Sequence, residues 1–347
     1  MRLCCSASWS IIPPSCSAFR TPAIDSSHWA NPITTRSRIV LEIAAELVAD
    51  AEQPYSQAKV LLRKQGATGW PLVLFGSSTY EGVDAVVSGE AALAMINPSA
   101  SLTLAYRGTG PYTTPQPVRT LAVIPSADQY VFAVKRSTGL TTFEEIGTRR
   151  VPLRIATRGQ RDHCLHVMLD HIAAAAGFSL DDVRAWGGEA RPNGPLPMPG
   201  DAKFQALARG EIDAIFDEAV QEWLPAAVEA DMTILPLAEA TVRKLEALGY
   251  RRAIIPKSLY PMLPADVLTI DFSGWSIFVH ADAPDALVTQ MCRALEARKH
   301  LIPWQGEGPL PLERMMINAA DTPMDVPLHP AAERFWRACG YQPAAVG

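Results

Sequence analysis

The chain has 347 residues, of which 48% are hydrophobic and 19% charged, and its formal net charge at pH 7 is -5. A chain of that length buries a large core and ordinarily divides into two domains. The acidic balance, with no Lys/Arg-rich run, argues against a nucleic-acid partner, and no apolar run reaches the ~18 residues of a membrane-crossing helix.

The first segment, residues 1–36, is rich in Ser, Pro and Thr and has no clear period, so it reads as a disordered leader or a misassigned start. Met1–Pro14 carries one positive charge and a short, interrupted apolar core, a poor match to a secretory signal, although Ser15–Ala18 offers small residues. Three of the six cysteines (Cys4, Cys5, Cys16) lie here. The others (Cys164, Cys292, Cys339) are far apart in helical patterns, without zinc or disulfide spacing, and are expected to be buried small apolar residues.

Ile39–Val48 reads as strand or helix, since Val40, Ile43, Ala44 and Leu47 repeat at helical spacing. Pro71–Phe75 is a buried strand ending in Gly76-Ser77-Ser78-Thr79, and one of those hydroxyls is expected to cap a helix over Tyr80–Val87. Thr120–Ile124 and Tyr130–Lys135 read as strands, as does Val183–Trp186; Arg191–Asp201, with four prolines and two glycines, is an irregular loop. Thr241–Leu248 and Asp285–Arg298 are helical, with residues 251–269 carrying the chain back between them.

Two stretches organise the rest. Val151–Thr157 is a strand that delivers Arg158-Gly159-Gln160-Arg161-Asp162 to the helix starting near Cys164. The N–H groups and dipole of a helix start favour an anion, and guanidinium forks suit a carboxylate or phosphate, although solvated surface arginines are an equal alternative. The second stretch is a duplication: Ala85–Asn97 aligns without gaps on Ala206–Glu218, with Gly89 over Gly210. Each copy reads as a helix ending at a left-handed glycine, then a strand ending in polar groups, Asn97 in one and Asp217-Glu218 in the other. Ligand groups in open α/β sheets collect at strand carboxyl ends, so two such units imply two lobes around a cleft. The same argument nominates Ser77, Ser78 and Asn97 from one lobe and Arg158, Gln160, Arg161, Asp217 and Glu218 from the other as ligand-binding. Glu218 is also placed to pair with an arginine in the empty state.

This layout resembles the TAXI family of solute-binding subunits of TRAP transporters. Ser88–Ile96 and Gly210–Phe216 resemble that family's duplicated segments, and Gly76-Ser77-Ser78 resembles its polar turn. Ile255–Tyr260, Trp275–Pro284 and Pro327–Ala332 are similar to its late motifs; together these cover about residues 38–341. The resemblance implies an α/β, two-lobed type II periplasmic-binding-protein-like fold with a central ligand cleft. Lobe I is expected over 37–136 and 270–347, and lobe II over 137–269. It further implies a first strand near residues 39–48, a ligand loop through about Tyr55 and a helix over Gln57–Lys64. The family's glycine pair in that loop is absent, which leaves contacts by Glu46 and Tyr55 in doubt. Its implied function is capture of a small anionic solute, dicarboxylate or amino-acid-like, for TRAP transporter membrane subunits in the periplasm. Arg158, Gln160, Arg161 and Asp162 replace small residues of the family's second-lobe loop, which favours a smaller or more charged solute.

Motifs for catalysis are absent: there is no G-x-S-x-G, P-loop, H-E-x-x-H or G-x-G-x-x-G. His163, His166 and His171 lack a completed ligand set and read as structural, so no metal or cofactor is expected. The poor signal segment keeps a cytosolic enzyme or ligand sensor on the same scaffold as the alternative.

Overall fold

The computed structural model describes residues 32–49, 55, 57–64, 66 and 71–343. Residues 1–31, with Cys4, Cys5 and Cys16, lie outside the described residues. Helix α1 (Pro32–Ala49) is a unit described by itself. Proline stands at its first position, where the missing N–H is no loss. The helical alternative for Ile39–Val48 is the one adopted, and the helix includes residues 32–36.

The remainder starts with strand β1 (Ala58–Leu62), then β2 (Leu72–Gly76), helix α2 (Glu81–Val87), β3 (Leu93–Ile96), α3 (Ser99–Arg107) and β4 (Val118–Ile124). β1 corrects the expected helix over Gln57–Lys64. Its Ala58–Leu62 pair antiparallel with Gly76–Leu72, and this edge pairing overrides the helical spacing of Ala58, Leu61 and Leu62. The second group comprises β5 (Val131–Lys135), α4 (Glu145–Thr148), β6 (Arg154–Thr157), α5 (Cys164–Ala176), α6 (Leu180–Ala185), β7 (Glu189–Pro192), α7 (Ala202–Ala208) and β8 (Ala214–Asp217). It continues through α8 (Val220–Glu229), β9 (Met232–Ile234), α9 (Glu239–Leu248), β10 (Arg252–Ile255) and β11 (Val267–Ile270). The chain ends with β12 (Trp275–His280), α10 (Asp285–Ala297) and α11 (Pro330–Ala338).

Two five-stranded mixed sheets result, ordered β1-β2-β3-β12-β4 and β7-β6-β8-β5-β9. Their plans match over four strands: β2 and β3 are parallel, as are β6 and β8, and in each sheet the next strand, β12 or β5, runs antiparallel, whereas the edge pairs differ, β1–β2 antiparallel and β7–β6 parallel. The duplicated units occupy equivalent places. Gly89 and Gly210 both take the left-handed conformation, φ 79 and 73, that a side chain would resist, and feed β3 and β8.

β5 sits in the second sheet, so the chain changes sheets before residue 131. It returns between β11 and β12. The two crossings lie side by side: Tyr130 N donates to Ile270 O at 3.0 Å, Phe272 N to Asp128 O at 2.9 Å and Gly274 N to Ser126 O at 2.9 Å.

The strand expected at Val183–Trp186 is instead the end of α6. Ser179 Oγ accepts from Asp182 N at 3.0 Å and the Asp182 carboxylate accepts from Ser179 N at 2.8 Å, a capping box that commits the following turn to helix. The strand comes three residues after Trp186, as β7. The central strands of both sheets are buried on both faces. Tyr130, Phe132 and Val134 pack with Phe143, Leu165 and Phe216 on one side of the second sheet, and Val131 and Ala133 with Ile215 and Trp223 on the other. Each such aromatic contributes about 1.5–3 kcal/mol by leaving water. Cys164 and Cys292 are buried as expected, but Cys339 is exposed just past α11.

Candidate functional site

β6 carries Arg158 out of the second sheet, and β8, its parallel neighbour, carries Asp217 and Glu218 out at the same end. Three charged side chains therefore meet. Arg158 Nη2 donates to Asp217 Oδ1 at 2.7 Å and also to the Glu218 carboxylate, while Nε lies 3.4 Å from Asp217 Oδ2. Asp217 is fully buried and is shared with Lys203 Nζ at 3.1 Å. Lys203, itself buried in α7, donates a second hydrogen bond to Pro195 O at 2.6 Å. Burial works against the charge on Arg158, yet the two carboxylates outweigh it and raise its pKa above the ordinary value. Burial lowers that of Lys203, with Asp217 opposing.

The carboxylates occupy the Nε–Nη2 edge of the guanidinium. Among the described residues, Nη1 has no acceptor. Asp217 and Glu218 thus orient the fork and leave one amino group of Arg158 for another oxygen.

Three further residues, none evident from the sequence, complete the surroundings. Asp128 lies on the crossing and accepts from Ala219 N at 2.9 Å and Val220 N at 3.1 Å, tying the start of α8 to the crossing. Burial first, and the facing Glu218 second, push its carboxyl well above the usual range. Tyr130, fully buried, lies in the field of Asp217, Arg158 and Glu218, and its hydroxyl has no partner among the described residues. His163 is the N-cap of α5, its Nδ1 accepting from Leu165 N at 3.2 Å. Burial and the nearby Arg158 push its imidazole down to about 3.

The sequence-nominated residues divide. Ser77 and Asn97 stand at the carboxyl ends of β2 and β3, and Asn97 Oδ1 is buried with no partner among the described residues. Ser77 Oγ accepts from Thr79 N at 3.0 Å rather than capping α2, whose N-cap Tyr80 makes no side-chain cap. Ser78 reaches across to the second-sheet side, where Gln160 Nε2 donates to its Oγ at 3.2 Å and Cys164 N to its carbonyl at 3.0 Å. The expected anion site at the start of α5 is thereby taken by Ser78 and His163.

Arg161 does not join Arg158. It is exposed and lines a separate groove of about 640 Å³ with His166, Asp170, Asp181 and Arg184. Gly159, between the nominated residues, is in close contact with Gly194: its N donates to Gly194 O at 2.7 Å, and a Cβ there would lie 2.7 Å from that oxygen.

Lys203 was legible in principle, as a cation in phase with Ala206 and Leu207 on the buried face of α7. His163 is outside the common capping residues, so capping preferences do not single it out.

No curated protein matches the sequence. Among solved structures, similarity extends to the alkanesulfonate-binding protein SsuA from Xanthomonas axonopodis pv. citri bound to MOPS, at 18% identity and TM-score 0.30 over 63% of this chain. The match spans 59% of that protein's length. PhnD1 from Prochlorococcus marinus in complex with methylphosphonate aligns at 11% identity and TM-score 0.35, over 76% of this chain and 84% of that one. The ATP phosphoribosyl transferase (HisG:HisZ) complex from Thermotoga maritima aligns at 14% and 0.30, over 75% and 89%. A family model gives the broader assignment: it matches residues 76–340, and the chain belongs to the NMT1-like family.

Proposed function

We propose that this chain is a solute-binding receptor that captures a small anionic solute, dicarboxylate or amino-acid-like, between two lobes built on the two sheets. The observation that carries the reading is the guanidinium of Arg158. It is half-buried, oriented along one edge by Asp217 and Glu218, and keeps Nη1 without a protein acceptor among the described residues. The unpartnered Tyr130 hydroxyl and Asn97 Oδ1 give further polar atoms for a solute to satisfy.

The finer assignment is to a TRAP-type transporter working from the periplasm. It rests on the resemblance of Ser88–Ile96, Gly210–Phe216 and the late motifs to the TAXI family. The lobes would then be residues 57–125 with 275–343, and 130–270.

A cysteine–histidine enzyme is disfavoured by the site's chemistry. The Cys164 thiol is pushed up to about 12 by burial, and the Nδ1 lone pair of His163 is used by a backbone N–H. Native mass spectrometry of protein purified without refolding, followed by calorimetric titration with succinate and L-glutamate, tests the receptor reading. Stoichiometric binding without turnover supports it; binding of neither acid, or conversion of one, rejects it.

A further inference from the structure

Two helices of this chain begin with a histidine at the N-cap, and the two histidines differ in one respect. In α11, His329 Nδ1 accepts from Ala331 N at 3.2 Å, and the backbone at Ala281 and Ala283 favours the ring's proton. In α5, His163 Nδ1 accepts from Leu165 N at the same 3.2 Å. Accepting there requires an unprotonated Nδ1, so the ring's proton sits on Nε2. Among the described residues, no acceptor stands opposite that Nε2–H.

The surroundings of this donor are those of the site. The His163 ring stacks on Phe272 of the crossing, with centroids 6.2 Å apart and planes 13° apart. Tyr130, with its unpartnered hydroxyl, packs edge-on against the same Phe272 at 6.3 Å. Arg158 is close enough to His163 for its charge to bear on the imidazole. A neutral ring donor, a phenol and a free guanidinium nitrogen therefore converge on one region, each short of an acceptor from the protein.

We propose that His163 is a specificity-determining residue that donates Nε2–H to an oxygen acceptor of the solute, with its tautomer set by the helix cap. The inference rests on the receptor reading above. The capping N–H makes the imidazole a donor and not a base, so it reads a carboxylate or carbonyl oxygen and rejects a donor group at the same position. Rejection follows because two facing donors leave both unpaired.

The test separates the two nitrogens. His163→Asn retains an acceptor where Nδ1 was, as a favoured capping residue, but cannot reach the position of Nε2. His163→Gln extends an amide donor to that position and loses the cap. Calorimetry with succinate and L-glutamate, alongside thermal unfolding, is expected to show opposite patterns. The Asn variant should unfold like the parent while binding roughly tenfold more weakly or worse. The Gln variant should unfold at lower temperature while binding within about threefold of the parent. An Asn variant that binds like the parent, or equal affinity losses in both variants, overturns the proposal while leaving the receptor reading intact. Failure of the parent itself to bind either acid rejects the anionic-solute reading, and this inference with it.

Discussion

Lys203 and Asp217 form an ion pair of 3.1 Å in which both side chains are withdrawn from water, at 1% and 0% exposure. The pair lies behind Arg158, so Asp217 is held from two sides and its position sets the guanidinium. Such a pair gains little net stability over an apolar replacement, but removal of one partner strands the other as a buried charge. Lys203→Met is expected to cost about 3–5 kcal/mol in urea unfolding. The double variant Lys203→Met/Asp217→Asn should recover a substantial part of that loss. A single variant as stable as the parent would mean that Asp217 is compensated by Arg158 alone.

His163 makes the fold sensitive to acid. Its pKa in the folded state, about 3, lies below the ordinary value of 6.5, so the folded chain binds the proton less readily than the unfolded one. Stability from the neutral imidazole is complete above pH 6.5 and is lost as pH falls toward 3, by up to about 5 kcal/mol over the window. Unfolding free energy measured between pH 7 and pH 4 should fall more steeply for the parent than for His163→Asn. Parallel slopes would contradict the buried neutral imidazole.

Asp128 gives the opposite sign. Burial and the facing Glu218 raise its pKa, so the folded chain favours the protonated acid, and its contribution declines as pH rises above the ordinary carboxylate range. Asp128→Asn retains an acceptor for the start of α8 and should flatten that decline. Asp128→Ala leaves Ala219 N and Val220 N unpaired and should cost about 1–3 kcal/mol. Equal stability of the Asn and Ala variants would show that the α8 contact contributes nothing.

Gly159 is a steric requirement of the Arg158 loop. A Cβ at 2.7 Å from Gly194 O forces one backbone segment to move. Gly159→Ala should destabilise by about 1–3 kcal/mol and weaken succinate or L-glutamate binding more than Gly139→Ala, which is strained by its left-handed backbone (φ 62) but whose added atom meets nothing within 4 Å. Equal effects at the two positions would show that the contact with Gly194 does not position Arg158.

The sequence was most legible where one local rule acted without competition. Gly89 and Gly210 each end a helix and start a buried strand, and the apolar runs after them admit little else, so the duplicated units were readable residue by residue. Legibility failed where pairing partners decided. Ala58–Leu62 has no property that marks it as a strand until β2 lies beside it, and Val183–Trp186 looks extended until Ser179 and Asp182 close their capping box.

The candidate site followed the same division. Arg158, Asp217 and Glu218 were readable as neighbours because strand ends converge in this kind of sheet. Arg161 was nominated by proximity along the chain, but three residues across a loop-to-helix junction turn a side chain to a different surface. Asp128, Tyr130 and His163 escaped because the crossing that gathers them joins residues more than 100 positions apart, such as Asp128 and Phe272.

The central claim, that Arg158 is the anion-holding residue, is tested most directly by calorimetric titration of succinate and L-glutamate into Arg158→Gln and Arg161→Gln beside the parent. Circular dichroism should first establish that both variants are folded. The account predicts that Arg158→Gln weakens the acid that the parent binds by at least tenfold, about 1.4 kcal/mol or more, whereas Arg161→Gln stays within about twofold. Parent-like affinity in a folded Arg158→Gln variant, or a loss confined to Arg161→Gln, would contradict it.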